Sequence, residues 1–554
     1  LNKILIPTFI FIIQNLAFFF CFGLFLLLLA RNPFSSRTLI AVMDPFPDTI
    51  HYTNSAFSFL RGKGYVLERE GRIITADVPP LYSFTLIPSF LIFNDVRAFY
   101  FTNVLLAIIS FILFYRIILR FFSHKSVQFL VLFSYATCLP ITWYTSLAMA
   151  ENLILPLFLF ALFIVSSNYS WKKAVLMAVV CISFYATKYA SIPLLFSFAL
   201  IYFIKIFSAF NIKNNKYKHA GFFLVVLLLF GTMFELFEYK YKGTGIVTQI
   251  LPLFKLVFLD NPKTILSQEA TQIKSFFSTD FILLNIKSYL SWFLGGKIYI
   301  LWSLVQITSP IWAVQASLGL FFGLARKKWR PLAFSLLFSQ IVVLGFMMSF
   351  YTTDGRYFYT AIPTVFLGLG FFLSSVVDFF NKKSFHWISY SFLVLVAVVL
   401  LMQNILPLKS AIMLNLRHAE TPWPYISIQR LNVYLKVRQV KNQIPVVISP
   451  LSPYYVDFFK TEKMILLPLS LQQEARTDQK KVWGNYDFKH LDQVYTDFLM
   501  QNVPVYFASY GIGNDTGMNE ARKNLESKFN LQEVDVGCLN VCTIYQLQLK
   551  KELN

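Results

Sequence analysis

"AFYFTNVLLAIISFILFYRIILR", residues 98–120, decides what kind of molecule this is. It carries no carboxylate, and its only charges, Arg116 and Arg120, stand together at one end. At about 1.5 Å per residue a helix of this length reaches roughly 34 Å, enough to cross a hydrocarbon core about 30 Å thick. Comparable runs recur along the 554 residues, at about 4–30, 126–146, 149–167, 173–189, 191–207, 219–237, 298–325, 331–350, 357–378 and 385–406. The composition agrees with a membrane class. The chain is 56% hydrophobic with 62 Phe and a mean hydropathy of +0.57. Only 14% is charged, against roughly 25% in soluble domains. The expected fold is a polytopic α-helical membrane protein with about eleven transmembrane helices. The N-terminal run 4–30 exceeds a signal-peptide core and shows no small-residue cleavage site, so it reads as a retained first span.

The formal charge of +21 would suggest nucleic acid in a soluble chain. Here the cations sit in short loops between spans, and nucleic acid is not an expected partner. Arg116, Arg120 and Lys125 follow the second span, and Lys172 and Lys173 the fourth. Lys205, Lys213, Lys216 and Lys218 follow the sixth; Arg326, Lys327, Lys328 and Arg330 the eighth; Lys382 and Lys383 the tenth. Strict alternation puts all of these on one side, which the positive-inside rule makes cytoplasmic together with the N-terminus. An odd number of spans then leaves the C-terminus outside.

The same alternation gathers the unusual polar residues on the outer face. They are the 31–97 loop, Glu151 at the head of the fourth span, the 238–297 loop and "YTTDGRYFY" at 351–359. Within the first loop, "VPPLYSFTLIPSFLIF" (78–93) is too short and proline-broken for a span, so a re-entrant or surface-lying helix is expected. In the second, "IVTQILPLFKLVFL" and "DFILLNIKSYLSWFL" read as interfacial helices. Beyond residue 410 the composition changes. "IPVVISP", "KMILLPLS" and "VPVYFASYG" read as short buried strands, "YYVDFFKTE" and "YTDFLMQN" as helices, and 531–548 as a closing hairpin. The domain reading is therefore 1–410 for the membrane part and 411–554 for an extracytoplasmic α/β domain.

Chemistry-bearing residues concentrate in a few places. "MDPFPDTIHYTNSAFSFLRGKGY" (43–65) holds Asp44 and Asp48, four apart and so able to share a helix face. Asp48 also suits the N-cap of the helix that follows. Glu151 opens an apolar span, where an acid is costly unless it meets water, a partner or a cavity. Lys188 and Arg356 are cations at the outer membrane junctions and suit a lipid-borne phosphate, with Asp354 a candidate partner for Arg356. Glu235 and Glu238, near the end of the seventh span, read as hydrated interfacial charge. His51 has no second histidine at metal-ligand spacing. Cys21, Cys138 and Cys181 lie in apolar runs, whereas Cys538 and Cys542 stand close enough in the polar tail for a bridge across a tight hairpin, open to them if that region is extracytoplasmic.

Together these stretches resemble the membrane glycosyltransferases of the GT-C superfamily, in the branch similar to protein O-mannosyltransferases and aminoarabinose transferases. Asp48, Tyr52, Ala56, Leu60 and Gly62 match a D-x-x-x-Y…A…L…G pattern, and Pro79, Pro80, Leu81 and Tyr82 match a closing Pro-Pro-Leu-Tyr segment. Glu151 stands where an acid often opens the fourth span, and "GRYFYTAIP" looks like the Arg-Tyr…Pro element. Two positions depart: Thr49 follows Asp48 where many members have a second acid, and Val78 stands where aminoarabinose-transferring relatives carry a lysine. The resemblance implies transfer of a sugar from a polyprenyl-phosphate donor to a lipid, glycan or protein acceptor on the outer face of a bacterial or archaeal plasma membrane. Asp48, with Asp44, is the expected catalytic carboxylate. Glu151, Lys188, Arg356, Tyr357, Tyr52, Tyr82 and His51 are the expected substrate contacts. Asp44, Asp48 and Glu151 alternatively offer oxygen ligands to a divalent metal, which the family uses unevenly.

A transporter or flippase of lipid-linked glycans would share the apolar runs and basic loops. Transporters place binding residues at the bilayer midplane between inverted repeats; here the polar residues favour one face and no repeat is visible. A ligase or polymerase would share the outer-face site, and a receptor role would place binding in the tail.

Overall fold

The computed structural model describes residues 16–34, 47–69, 72–76, 78–209, 213–242, 279–300, 303–347, 359–417, 424–438, 443–449, 463–469, 490–510, 516–537 and 542–550. In chain order, α1 (Leu16–Leu29) is followed by α2 (Pro47–Leu60), the hairpin β1 (Val66–Arg69) and β2 (Arg72–Thr75), and α3 (Pro80–Phe93). Then come α4 (Phe99–Phe121), α5 (Lys125–Ala136), α6 (Leu139–Thr145), α7 (Glu151–Val165), α8 (Trp171–Thr187), α9 (Ile192–Ala209) and α10 (Lys213–Lys242). Next are α11 (Thr279–Leu294), the hairpin β3 (Lys297–Ile300) and β4 (Ser303–Gln306), α12 (Pro310–Ala325), α13 (Arg330–Met347), α14 (Ala361–Lys382) and α15 (His386–Arg417). The last part holds α16 (Pro424–Arg438), β5 (Val446–Ser449), β6 (Ile465–Pro468), α17 (Leu491–Met500), β7 (Val505–Tyr510), α18 (Thr516–Lys528), β8 (Phe529–Val534) and β9 (Cys542–Leu549).

Among the described residues, five helical stretches are long and apolar enough to cross a membrane alone: Val96–Phe121, Tyr189–Phe207, Tyr217–Tyr241, Ala361–Lys382 and His386–Ile405. The α5–α6 pair, bent by 42°, passes the same test as one broken span. Shorter apolar helices, α1, α3, α7, α12 and most of α13, accompany them. The protein is polytopic and helical, as its composition requires. The near-loopless junction expected at Lys188–Ser191 is a 3-10 turn, Tyr189–Ser191, between α8 and α9. One expected span is corrected. Residues 298–325 are not a single helix: the first third forms the antiparallel hairpin β3–β4, with Lys297 opposite Gln306. Its Ile, Tyr, Trp and Val content favours strand, Gly295 and Gly296 precede it, and Pro310 starts a fresh helix behind it.

The chain divides into two compact units: residues 1–33 with 76–417, and residues 34–75 with 418–554. In the first, α12 and α14 approach backbone to backbone through small residues, the device by which membrane helices gain packing that lipid cannot supply. A Cβ built on Gly319 would lie 1.9 Å from the Gly368 carbonyl oxygen, and one on Gly368 would meet Ala316 O at 2.5 Å. We therefore expect Gly319→Val to lower thermal stability in detergent by about 1–3 kcal/mol or more. Gly345→Ala on α13, where nothing lies within 4 Å, should leave it unchanged. Equal melting temperatures for the two variants would contradict the close crossing.

The second unit carries a five-stranded sheet in the order β6-β5-β7-β9-β8. Strands β6, β5 and β7 run parallel, and β9 pairs antiparallel with both β7 and β8. Strand β5, "VVIS", is buried along its whole length, the continuous apolar pattern of a parallel strand covered on both faces. The expected strands and the closing hairpin are all present; "YYVDFFKTE" lies outside the described residues, as does "IVTQILPLFKLVFL". Cys542, at the start of β9, is disulfide-bonded. Cys21, Cys138 and Cys181 are free and buried, as small hydrophobes would be, and Cys538 lies outside the described residues.

Candidate functional site

Helix α2, in the second unit, presents the D-x-x-x-Y…A…L pattern as a stripe. Asp48, Tyr52, Ala56 and Leu60 recur every fourth residue and so follow one side of the helix. The helix starts at Pro47, whose missing N–H is no loss there, so Asp48 lies inside the first turn rather than at the N-cap. The motif's Gly62 ends it. Lys63 N donates to Ser58 O and Gly62 N to Phe59 O, both at 3.0 Å, and Gly62 takes φ +75°, a left-handed stop that a side chain would strain. The polar residues of α2 are buried: Thr49, His51, Thr53, Asn54, Ser55 and Ser58 all fall below one-tenth exposure, as does Tyr52. Thr53 donates to Thr49 O and Ser58 to Asn54 Oδ1. The Asp48 side chain and all of Asp44 lie outside the described residues.

In the first unit, Glu151 and Lys188 meet. Glu151 opens α7 and Lys188 ends α8; Lys188 Nζ donates to Glu151 Oε1 at 2.7 Å. The residues are 2% and 8% exposed, so neither is a hydrated surface charge. Glu151 Oε2 is buried with no hydrogen-bond partner among the described residues. It borders a cavity of about 20 Å³, lined also by Lys188, Ser191, Val343, Tyr359 and Thr360. That space has room for a water but not for a sugar. Tyr359 and Thr360 belong to the described part of the "GRYFYTAIP" element, so Glu151, Lys188 and that element border one cavity. The Tyr359 ring lies 4.3 Å from that of Tyr144. Arg356, Tyr357 and Asp354 lie outside the described residues.

A hydrogen-bonded turn holds Glu151 in place. Residues 146–150 leave helical geometry while fully buried, which strands backbone carbonyls in an apolar setting. Two asparagines satisfy them: Asn103 Nδ2 donates to Thr145 O and Leu147 O, and Asn152 Nδ2 to Tyr144 O, Leu147 O and Met149 O. Tyr82, from the Pro-Pro-Leu-Tyr segment on α3, donates to Asn103 Oδ1 at 2.8 Å. Tyr82 thus supports the turn that carries Glu151. Neither asparagine was singled out from sequence, although Asn103 stands in the middle of the opening apolar run, where a lone amide is itself a signal.

Beside this, α3, α8 and α10 enclose an apolar cavity of about 330 Å³, whose walls include Pro80, Leu81, Phe84, Ile182, Phe234 and Phe237. Glu238 corrects an expectation here. It is 0% exposed rather than hydrated, and it accepts from Tyr189 at 2.8 Å and Tyr185 at 3.2 Å. Among the described residues, no group of three or more His, Cys, Asp or Glu is placed to hold a metal. Of the expected oxygen set, only Glu151 has a described side chain. Its Oε1 is already taken by Lys188.

The sequence matches no protein-family model and no curated protein sequence. The fold, in contrast, has clear likenesses among solved structures. It is similar to ArnT from Cupriavidus metallidurans in the apo state, with a TM-score of 0.53 at 11% identity over 93% of this chain and 95% of that one. It is similar also to ArnT from Cupriavidus metallidurans bound to undecaprenyl phosphate, with a TM-score of 0.52 at 11% identity over 96% and 97%.

Proposed function

We propose that the chain is an integral-membrane glycosyltransferase that moves a sugar from a polyprenyl-phosphate donor to an acceptor on the outer face. The observation that carries this is the likeness in fold to ArnT along more than nine-tenths of both chains, one of those structures holding undecaprenyl phosphate. The apolar cavity beside Pro80 and Leu81 is suited to part of an isoprenoid tail. The bonded Cys542 supports an oxidising, extracytoplasmic setting for the C-terminal unit, in keeping with eleven spans and a cytoplasmic N-terminus.

In this reading Asp48 takes the proton of the acceptor hydroxyl as that oxygen bonds to the anomeric carbon. The bond from that carbon to phosphate oxygen breaks, polyprenyl phosphate departs with the electron pair, and the single displacement inverts the centre. Lys188 and Arg356 offset the charge growing on the leaving phosphate. Glu151 fixes the position of the Lys188 ammonium. Asp44 supports Asp48; Tyr52, His51 and Tyr357 contribute to sugar recognition, and Tyr82 acts through the turn that carries Glu151. No step is routed through a metal.

The test is donor consumption. The full chain in detergent, given radiolabelled polyprenyl-phosphate sugars, should release free polyprenyl phosphate with transfer or loss of the label. Passage of an intact labelled lipid-glycan across proteoliposomes, with no donor consumed, would instead identify a transporter.

A further inference from the structure

At the end of the helices that carries the basic loops, the first unit holds a second, larger cavity. It measures about 830 Å³ and lies between the C-terminal end of α7, the last turns of α9 and the start of α13. Its size is that of a ligand site. Lys205 and Arg330 line it, with Ser166 and Asn168, and no carboxylate does among the described residues. Lys205 Nζ donates to the carbonyls of Ile164, Val165 and Ser167, which anchors the side chain at the wall of the cavity. Arg330 uses Nε on Leu324 O at 2.9 Å and forms no ion pair among the described residues, so its two terminal nitrogens remain to grip an anion. Ser166 Oγ is buried with no hydrogen-bond partner among the described residues, a donor awaiting an acceptor.

The walls continue into an apolar track. Phe196, Leu200 and Ile204 recur every fourth residue on α9, and Phe334 and Ile341 are seven apart on α13; all five are exposed. Ile204 and Phe334 also line the cavity. A cationic pocket that opens onto two ridges of membrane-facing apolar side chains matches a molecule with an anionic head and hydrocarbon tails.

We propose that this cavity binds an anionic glycerophospholipid of the cytoplasmic leaflet, its phosphate against Arg330 and Ser166 and its acyl chains along α9 and α13. Basic pockets between helices on that side are suited to such headgroups, with each cation near the surface worth about a fivefold change in binding. The lipid would brace α7, α9 and α13 at their inner ends, and the proposal is independent of the donor chemistry at the outer face.

Native mass spectrometry of the full chain tests it, using phosphatidylglycerol, phosphatidylcholine and inorganic phosphate as probes. Phosphatidylglycerol should remain bound and raise the melting temperature, and phosphatidylcholine should do neither. Arg330→Gln should reduce phosphatidylglycerol retention about fivefold, and Ser166→Ala should weaken it in the same direction. Both variants should melt like the parent in lipid-free detergent. Equal retention of phosphatidylcholine, or retention unchanged in both variants, would overturn the site. An equal stabilisation by inorganic phosphate alone would overturn the lipid as its occupant.

Discussion

Asp48→Asn is expected to lower sugar transfer by about 10²- to 10⁴-fold, the range for removal of a positioned general base, while the protein still folds. The substitution separates the two roles open to Asp48. Asparagine retains an oxygen acceptor and starts helices as well as aspartate does, so a purely structural role in the first turn of α2 would tolerate it within about 1 kcal/mol. It cannot take a proton. The pH profile gives a second readout. A base must be ionised to act, so activity of the parent should rise with pH through the pKa of Asp48, and that rise should vanish in the variant. Donor consumption at the parental rate, with the pH dependence intact, would remove Asp48 from the mechanism.

Glu151→Ala and Lys188→Met are each expected to destabilise the protein by about 3–5 kcal/mol, because each removes one half of a buried ion pair. The double variant Glu151→Gln with Lys188→Met should recover most of the loss. A buried pair returns in Coulomb energy little more than its desolvation costs, so removing both charges is close to neutral. Thermal unfolding in detergent measures all three. Recovery of stability without recovery of donor consumption is the expected outcome if Lys188 also faces the departing phosphate. If either single variant melted with the parent, the pair would have to be hydrated, against its burial.

Much of the first unit was legible because membrane crossing depends on a local property. A run such as 98–120 must be helical in hydrocarbon, where each N–H and C=O has to be satisfied within the segment. The same argument misled at 298–325. A continuous apolar run has no periodicity to separate strand from helix, and the Gly-Gly before Lys297 and the Ser-Pro before Ile311 were the better guides. The C-terminal strands were readable from short apolar runs between turn residues, and the order in which they pair was not.

The candidate site divides in the same way. Glu151 and Lys188 were each conspicuous as charges at the edge of apolar runs, yet they lie 37 positions apart, and only packing of α7 against α8 makes them a pair. Glu238 looked like an interfacial charge until two tyrosines proved to enclose it. The role of Asn103 and Asn152 is a property of one buried turn whose carbonyls need donors. The sequence by itself determined the membrane class and the residues worth suspecting, since length, hydropathy and charge act along the chain. The tertiary structure decided which suspects meet, because burial and pairing depend on neighbours that only folding supplies.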